Sequence, residues 1–397
     1  MDRSFTPNSF SQGIESYRIE KKEQKFEGFD ILRAIFSIVI VGYKTKIFYI
    51  PKLLAPSILT NVLGDYLLSG MVGALAVPVF LQISLFIFYA KSKNQGFVYF
   101  IQRRLPRLVS LYLFWVISIT LFDILFVGKF NVVTDTLSSV KSLVLFIVSG
   151  HSTPYFFFFS LIFVTVVAEL LTLLLNRLEK PSVRKSISYS LLIASSLLVF
   201  AFATIEPIIK ATGMQSSLLT VLNHLAGWDY NPLNFLPYAF TAAITMQEYS
   251  EGKLGNSTKF LKRKLYGLLT LTVLFFSLEW ILTSNGLLIQ VDQAPLDHYM
   301  RLSLVFGSWL LLYLALLIKH KASAAILFVS QCSLGIYGFH VFFIFKRPLP
   351  LGDLPWIGHF IQAVPALQSL TAFLITLVGA IALTLCFKRV KFIKRFV

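Results

Sequence analysis

Two cations, Arg33 and Lys44, stand in a stretch that is otherwise apolar enough for a lipid bilayer, FDILRAIFSIVIVGYKTKI at 29–47. A charge inside a membrane span costs roughly 2.5–3.5 kcal/mol on insertion scales, so each is a candidate functional group. Eleven residues of helix make three turns plus about 20°, which puts both side chains on one face, about 16 Å apart along the axis. Such a face could pass a polar substrate between the two sides of a membrane. The bland alternative is that both side chains snorkel to opposite interfaces. Asp30 lies three residues before Arg33, within reach of its guanidinium.

Other ionisable groups fall in or beside apolar runs. Glu169 lies eight residues before Arg177, and Glu279 just precedes Trp280. For both, a structural ion pair and a catalytic role stand open. The run QRRLPRLVSLYLFW at 102–115 carries Arg103, Arg104 and Arg107. Arg104 and Arg107 are three apart, hence on one helical face, and guanidinium forks match phosphate oxygens bidentately. They could clamp the diphosphate of an acyl-CoA, or simply anchor anionic lipid. His340, in SQCSLGIYGFHVFF at 330–343, is either hydrogen-bonded glue or part of a reaction path.

These groups need membrane-crossing helices to hold them. The 397-residue chain is 56% hydrophobic and only 14% charged, where soluble domains average about 25% charged. Ten stretches approach the length that spans about 30 Å of hydrocarbon. They are 29–50, 69–90, 108–128, 154–176, 187–205, 232–248, 265–284, 302–318, 324–345 and 367–387. Ten crossings put both termini on one side. With that side in the cytoplasm, its segments hold 26 of the 36 Lys and Arg, against nine outside. This positive-inside bias accounts for the net charge of +17 and leaves no need for a nucleic-acid partner. The expected fold is an all-α polytopic membrane protein of about ten transmembrane helices with N- and C-termini cytoplasmic. Residues 1–28 read as a disordered cytoplasmic tail without the apolar core of a signal peptide, 29–390 as the membrane domain, and 391–397 as a basic cytoplasmic tail. Cys332 and Cys386 read as buried core residues, and the six His are too scattered to hold a metal. The outer segments 206–231, 285–301 and 346–366 are rich in aromatics, prolines and acids, as suits a rim that binds a polar substrate.

Five blocks follow one another along the chain: FDILRAIFSIVIV (29–41), GALAVPVFLQISLFIF (73–88), FIQRRLPRLVSLYL (100–113), TPYFFFFSLIFV (153–164) and CSLGIYGFHVFF (332–343). As an ordered set, covering about 26–390, they resemble the bacterial membrane acyltransferase-3 superfamily of the O-antigen and exopolysaccharide O-acetylase type. The first is similar to that family's LDxLRxxAxxxVV opening helix. The second is similar to its GxxGVxxFFxxSGFL helix, with Ser84 at the serine. The third resembles its RRxxR block and the last its SLxIYLxH helix; the fourth is a loose version of WFLxxL without the tryptophan.

The resemblance implies a fold of ten core helices in the cytoplasmic membrane of a bacterium. It implies acyl-CoA, of the acetyl-CoA type, as co-substrate with no bound cofactor, and a hydroxyl of a cell-surface glycan or lipid-linked sugar as acceptor. Arg103, Arg104, Arg107 and Ser84 would hold the donor, and Arg33 would line the passage of the acyl arm. Lys44 would stand at the chemical site, with His340 and Glu279 as further catalytic candidates. In the family a histidine regarded as the base follows the first-helix arginine by eleven residues; here that position is Lys44. Imidazole accepts a proton near neutral pH without special surroundings, and a lysine does not. Two classes therefore stand open. One is a membrane acyltransferase with Lys44 or another group as base. The other is a catalytically inactive relative that exports or binds a polysaccharide or lipid.

Overall fold

The computed structural model describes residues 26–55, 57–150, 152–212, 231–284, 299–346 and 364–397, and these are helical with no strand among them. In chain order the main helices are α1 Glu27–Lys44, α2 Ala76–Tyr99, α3 Leu105–Phe122, α4 Val140–Ser149, α5 Phe156–Asn176 and α6 Pro181–Thr212. They continue as α7 Leu236–Ser250, α8 Thr258–Ser284, α9 Leu302–Leu317, α10 Ala324–Val341 and α11 Pro365–Lys388. Wider π-helical turns join or extend several of them, at Val62–Gly73, Phe100–Arg104, Asp123–Val127 and Phe342–Lys346.

Among the described residues six helical stretches are long and apolar enough to cross a membrane: Val62–Lys93, Gln95–Val127, Phe156–Asn176, Pro181–Ile205, Ala324–Ile344 and Pro365–Lys388. Every one of the ten expected stretches falls on a helix, but α1, α7, α8 and α9 are not among these six. Helices α7 and α9 have only 15 and 16 residues, and α1 carries Glu27, Asp30, Arg33 and Lys44. The first expected span, 29–50, ends early, at Lys44. Thr45 Oγ1 donates back to Val41 O at 2.9 Å and Lys46 takes a left-handed turn at φ 62°, which together stop the helix. Helix α4 occupies a segment expected to be loop. Ser139 caps its start, accepting from Ser142 N at 3.0 Å, and Gly150 closes it at φ 58°.

Helix α2 is the centre of the bundle, flanked by α1, α5, α7 and α9. Its Leu81, Leu85, Phe86 and Phe88 have no exposed surface. The outside is as apolar as the inside, as a bilayer requires. On α3 the exposed Val109, Leu113, Ile117 and Leu121 recur every four residues, one stripe of a helix. Cys332 is buried as expected, but Cys386 is exposed, because α11 packs one edge against α10 and leaves most of its surface bare.

The segment expected as a polar tail begins to pack before residue 28. Phe26 contacts the rings of Phe29, Phe86 and Tyr249, and a methyl group at Gly28 would strike the Ala315 backbone. Residues 1–25 lie outside the described residues. The basic 391–397 segment folds back on the bundle, where Phe396 stacks on Phe114 with centroids 4.5 Å apart.

Helices α2 and α3 form a hairpin. Phe88 meets both Tyr99 and Phe100, and Arg104 meets Ser84, so the two arms retrace each other around residue 94. The reversal rests on Gly96, at φ 64° and ψ −163°. Nothing lies within 4 Å of where its Cβ would be, so the backbone conformation, not space, demands glycine.

Candidate functional site

Helices α1 and α10 make the most extensive helix pair in the bundle, and they run parallel. Near one end Ser330 Oγ donates to Asp30 Oδ1 at 2.8 Å, and the same oxygen pairs with Arg33 Nη1 at 3.7 Å. The expected Asp30–Arg33 pairing is therefore present, with Ser330 as a partner that spacing could not show. Near the other end Lys44 lies close enough for its charge to act on His340. Lys44 is half-buried in the last turn of α1, with its ammonium 5.1 Å from the Tyr43 ring centroid. A cation there also suits the negative end of the helix dipole.

His340 has no exposed surface. Its Nδ1 lies 2.5 Å from Tyr337 O. A carbonyl oxygen only accepts, so Nδ1 carries the proton and Nε2 presents the lone pair. Among the described residues that Nε2 is buried without a hydrogen-bond partner. The turn that carries it is braced from α5: Tyr155 OH donates to Gly338 O at 2.8 Å and Tyr337 OH donates to Pro154 O at 2.5 Å. Trp115 of α3 packs so tightly on Gly338 that a Cβ there would stand 2.0 Å from its ring.

The arginines divide. The π turn Phe100–Arg104 aims Arg104 inward, where its Nη2 donates to Ser84 Oγ at 2.6 Å and to Ser84 O at 3.4 Å. Its Nε is buried with no partner. Arg103 and Arg107 are exposed, and the charge of Arg107 acts on both Arg33 and Arg104. Thus Arg33, Arg104 and Arg107 gather at one end of the bundle, called here the basic end, and Lys44 with His340 near the other. Two cavities border this assembly. One, of about 530 Å³ at the basic end, is lined by Arg107, Lys394, Arg395 and Phe396 among others. The other, of about 740 Å³, opens between α3, α10 and α11 and is chiefly aromatic. Neither is lined by Arg33, Lys44 or His340.

Residues 26–388 match the acyltransferase-3 family, described as an acyltransferase domain. The chain belongs to the acyltransferase-3 family. Comparison with curated proteins and with solved structures gives no match. Membership makes the chain a membrane acyltransferase in general kind, and gives the α1–α10 pair and the basic end their meaning as parts of an acyltransferase.

Other candidates within this acyltransferase domain are tied into structure. Glu279 Oε2 pairs with Arg301 Nε at 2.9 Å and accepts from Ser303 Oγ at 2.5 Å, while Oε1 accepts from Ser303 N at 2.9 Å. Arg301 also donates to Gly70 O, so this cluster fastens α8 to α9 and to the Val62–Gly73 turn. Among the described residues Glu169 meets no cation: its Oε2 accepts from Ser92 Oγ at 3.2 Å, and its Oε1 is buried without a partner there. Most of the expected rim residues, including Trp228, Asp292, His298 and Trp356, lie outside the described residues. Among the described residues no group of three His, Cys, Asp or Glu could hold a metal ion.

The sequence reading missed a buried network at the junction of α6, α7, α8 and α9. Glu248 Oε1 pairs with Lys264 Nζ at 3.3 Å and accepts from Tyr189 OH at 3.2 Å, and Tyr313 OH donates to Oε2. The Lys264 ammonium stands 4.3 Å from the Trp309 ring centroid, and Trp309 Nε1 donates to Thr245 Oγ1 at 2.7 Å. Glu248 lies at the edge of the expected 232–248 span and Lys264 just before the next, so both counted as interfacial. The available signal was Tyr189, Trp309 and Tyr313, polar-tipped aromatics inside apolar runs.

Proposed function

We propose that the chain moves an acyl group, of the acetyl type, from acyl-CoA to a hydroxyl of a cell-surface glycan or lipid-linked sugar. In this reading ten helices cross the cytoplasmic membrane of a bacterium with both termini cytoplasmic, and the basic end faces the cytoplasm. The donor's phosphates bind there among Arg103, Arg104 and Arg107, with Ser84 fixing Arg104. The thioester arm passes Arg33 toward Lys44.

The observation that carries this reading is the buried, unpartnered Nε2 of His340 within range of the Lys44 charge. It supports His340 as the base that the family's first helix lacks here. Glu279 is the poorer choice, since both its oxygens are engaged. The acceptor oxygen attacks the thioester carbonyl while His340 Nε2 takes its proton. The Lys44 ammonium faces the resulting oxyanion. Collapse breaks the carbon–sulfur bond, and the imidazolium returns the proton to the departing thiolate, releasing CoA.

The test is acyl-CoA turnover by the purified protein in lipid. Binding and consumption of acetyl-CoA, with binding weakened by Arg104→Ala, is expected. Absence of acyl-CoA binding, with Arg104→Ala without effect, overturns the enzyme reading. It would favour the inactive relative, an exporter or binding subunit, which the lysine at position 44 otherwise suggests.

A further inference from the structure

The two cavities lie one above the other along a single face of α3. Arg107 and Ser110 line the lower, Phe114, Ser118, Leu121 and Leu125 the upper. Steps of three and four keep these residues in one stripe. On the opposite wall α10 rises in parallel, giving Leu334 to the lower cavity and Phe339, Phe342 and Phe343 to the upper. The two spaces meet at the Phe114–Phe396 stack, since Phe114 lines one and Phe396 the other. The result is one groove with a sharp gradient of polarity. Its lower part presents the three cations Arg107, Lys394 and Arg395 beside Val397, whose carboxylate offsets one of them. Its upper part is walled by phenylalanines, Trp115 and leucines, with Ser118 as its single hydroxyl.

We propose that this groove holds an anionic phospholipid drawn from the leaflet at the basic end. Its phosphate sits between Lys394 and Arg395, and an acyl chain rises along α3 past the Phe114–Phe396 stack. Basic clusters between membrane helices bind anionic headgroups. Phe114 stands about 10 Å above Arg107 along α3, so a chain held at the basic end passes the Phe114–Phe396 stack and ends against the lower part of the aromatic wall, within the roughly 15 Å depth of one leaflet. The lipid also explains why the 391–397 segment folds back on α3 although it carries Lys391, Lys394 and Arg395. The proposal does not rest on the acyl-transfer reading.

The full chain is reconstituted in nanodiscs holding phosphatidylglycerol and phosphatidylcholine in equal amounts, and the lipid that survives detergent extraction is measured by native mass spectrometry. Selective retention of phosphatidylglycerol is expected. Lys394→Gln with Arg395→Gln should reduce it roughly thirtyfold, since each surface cation contributes on the order of fivefold. Ser118→Phe, which fills the upper cavity without touching a charge, should also reduce it. Equal retention of the two lipids in the unaltered protein, which needs no variant to fold, overturns the proposal. So does retention that neither variant changes. Displacement of the lipid by added CoA overturns it as well, because the cations would then serve the donor.

Discussion

At the scale of single residues, the proposed reaction centre rests on two side chains far apart in sequence, Lys44 and His340. Replacing His340 by Gln should lower acyl transfer by about 10²–10⁴-fold, the usual contribution of a positioned base, while CoA binding measured by calorimetry stays unchanged. A structural histidine would instead show a lowered melting temperature with activity lost in proportion to unfolding. Lys44→Met should reduce turnover by about 10²–10³-fold through loss of oxyanion stabilisation. Lys44→His should restore a large part of that turnover and shift the rate profile toward neutral pH; activity no better than that of Lys44→Met would exclude position 44 from the chemistry. Arg33 with Asp30 was legible in the sequence because a spacing of three is a local rule of the helix. His340 with Lys44 was not, since the pairing of α1 with α10 is a matter of tertiary packing. The contact of Arg104 with Ser84 was hidden for a different reason: the π turn at Phe100–Arg104 sets its direction, and a regular helical register does not record that turn.

At the scale of elements, the hairpin of α2 and α3 and the α8–α9 junction are the points where one change should do most. Gly96→Ala places a side chain in a conformation open almost only to glycine and should cost about 1–3 kcal/mol, read as a fall in melting temperature. Gly267→Ala is the control. It lies inside α8 with nothing within 4 Å of its Cβ position, and it should be neutral or slightly stabilising. Arg301→Leu leaves Glu279 as a buried charge without its guanidinium and should cost about 3–5 kcal/mol. Adding Glu279→Leu to the same chain should recover much of that loss; if the double variant is no more stable than the single, the pair is not coupled as described. Helix existence was legible wherever apolar runs are long. The caps of α4 were also written in the sequence, as Ser139 and Gly150, but its 10 residues are too few to cross a bilayer and drew no attention. The early end of α1 was hidden because Thr45 and Lys46 act through backbone geometry, which hydropathy does not record.

At the scale of the whole molecule, the all-helical membrane class followed from composition, because a chain this apolar must satisfy its backbone internally. The number of crossings did not follow as cleanly: α1, α7 and α9 are short or charge-bearing, and their place in the bundle is set by packing against α2. The proposed topology makes a direct prediction. In intact cells, and in a chain freed of Cys332 and Cys386, Lys129→Cys should react with a membrane-impermeant thiol reagent and Ser257→Cys should not. The reverse pattern would invert the molecule and with it the donor side. The tight reversal at Gly96 bears on how such a molecule is made. The helical arms on either side end at Lys93 and begin again at Gln95, so the basic run 91–107 between the two apolar stretches is itself helical and doubles back on a short bend. During synthesis the pair is expected to enter the bilayer as one inserting unit, held at its bend by Lys91, Lys93, Arg103 and Arg104. An insertion of a few residues at Asn94, harmless to the packed protein, would uncouple the two events and show itself as chains with mixed orientation in the membrane.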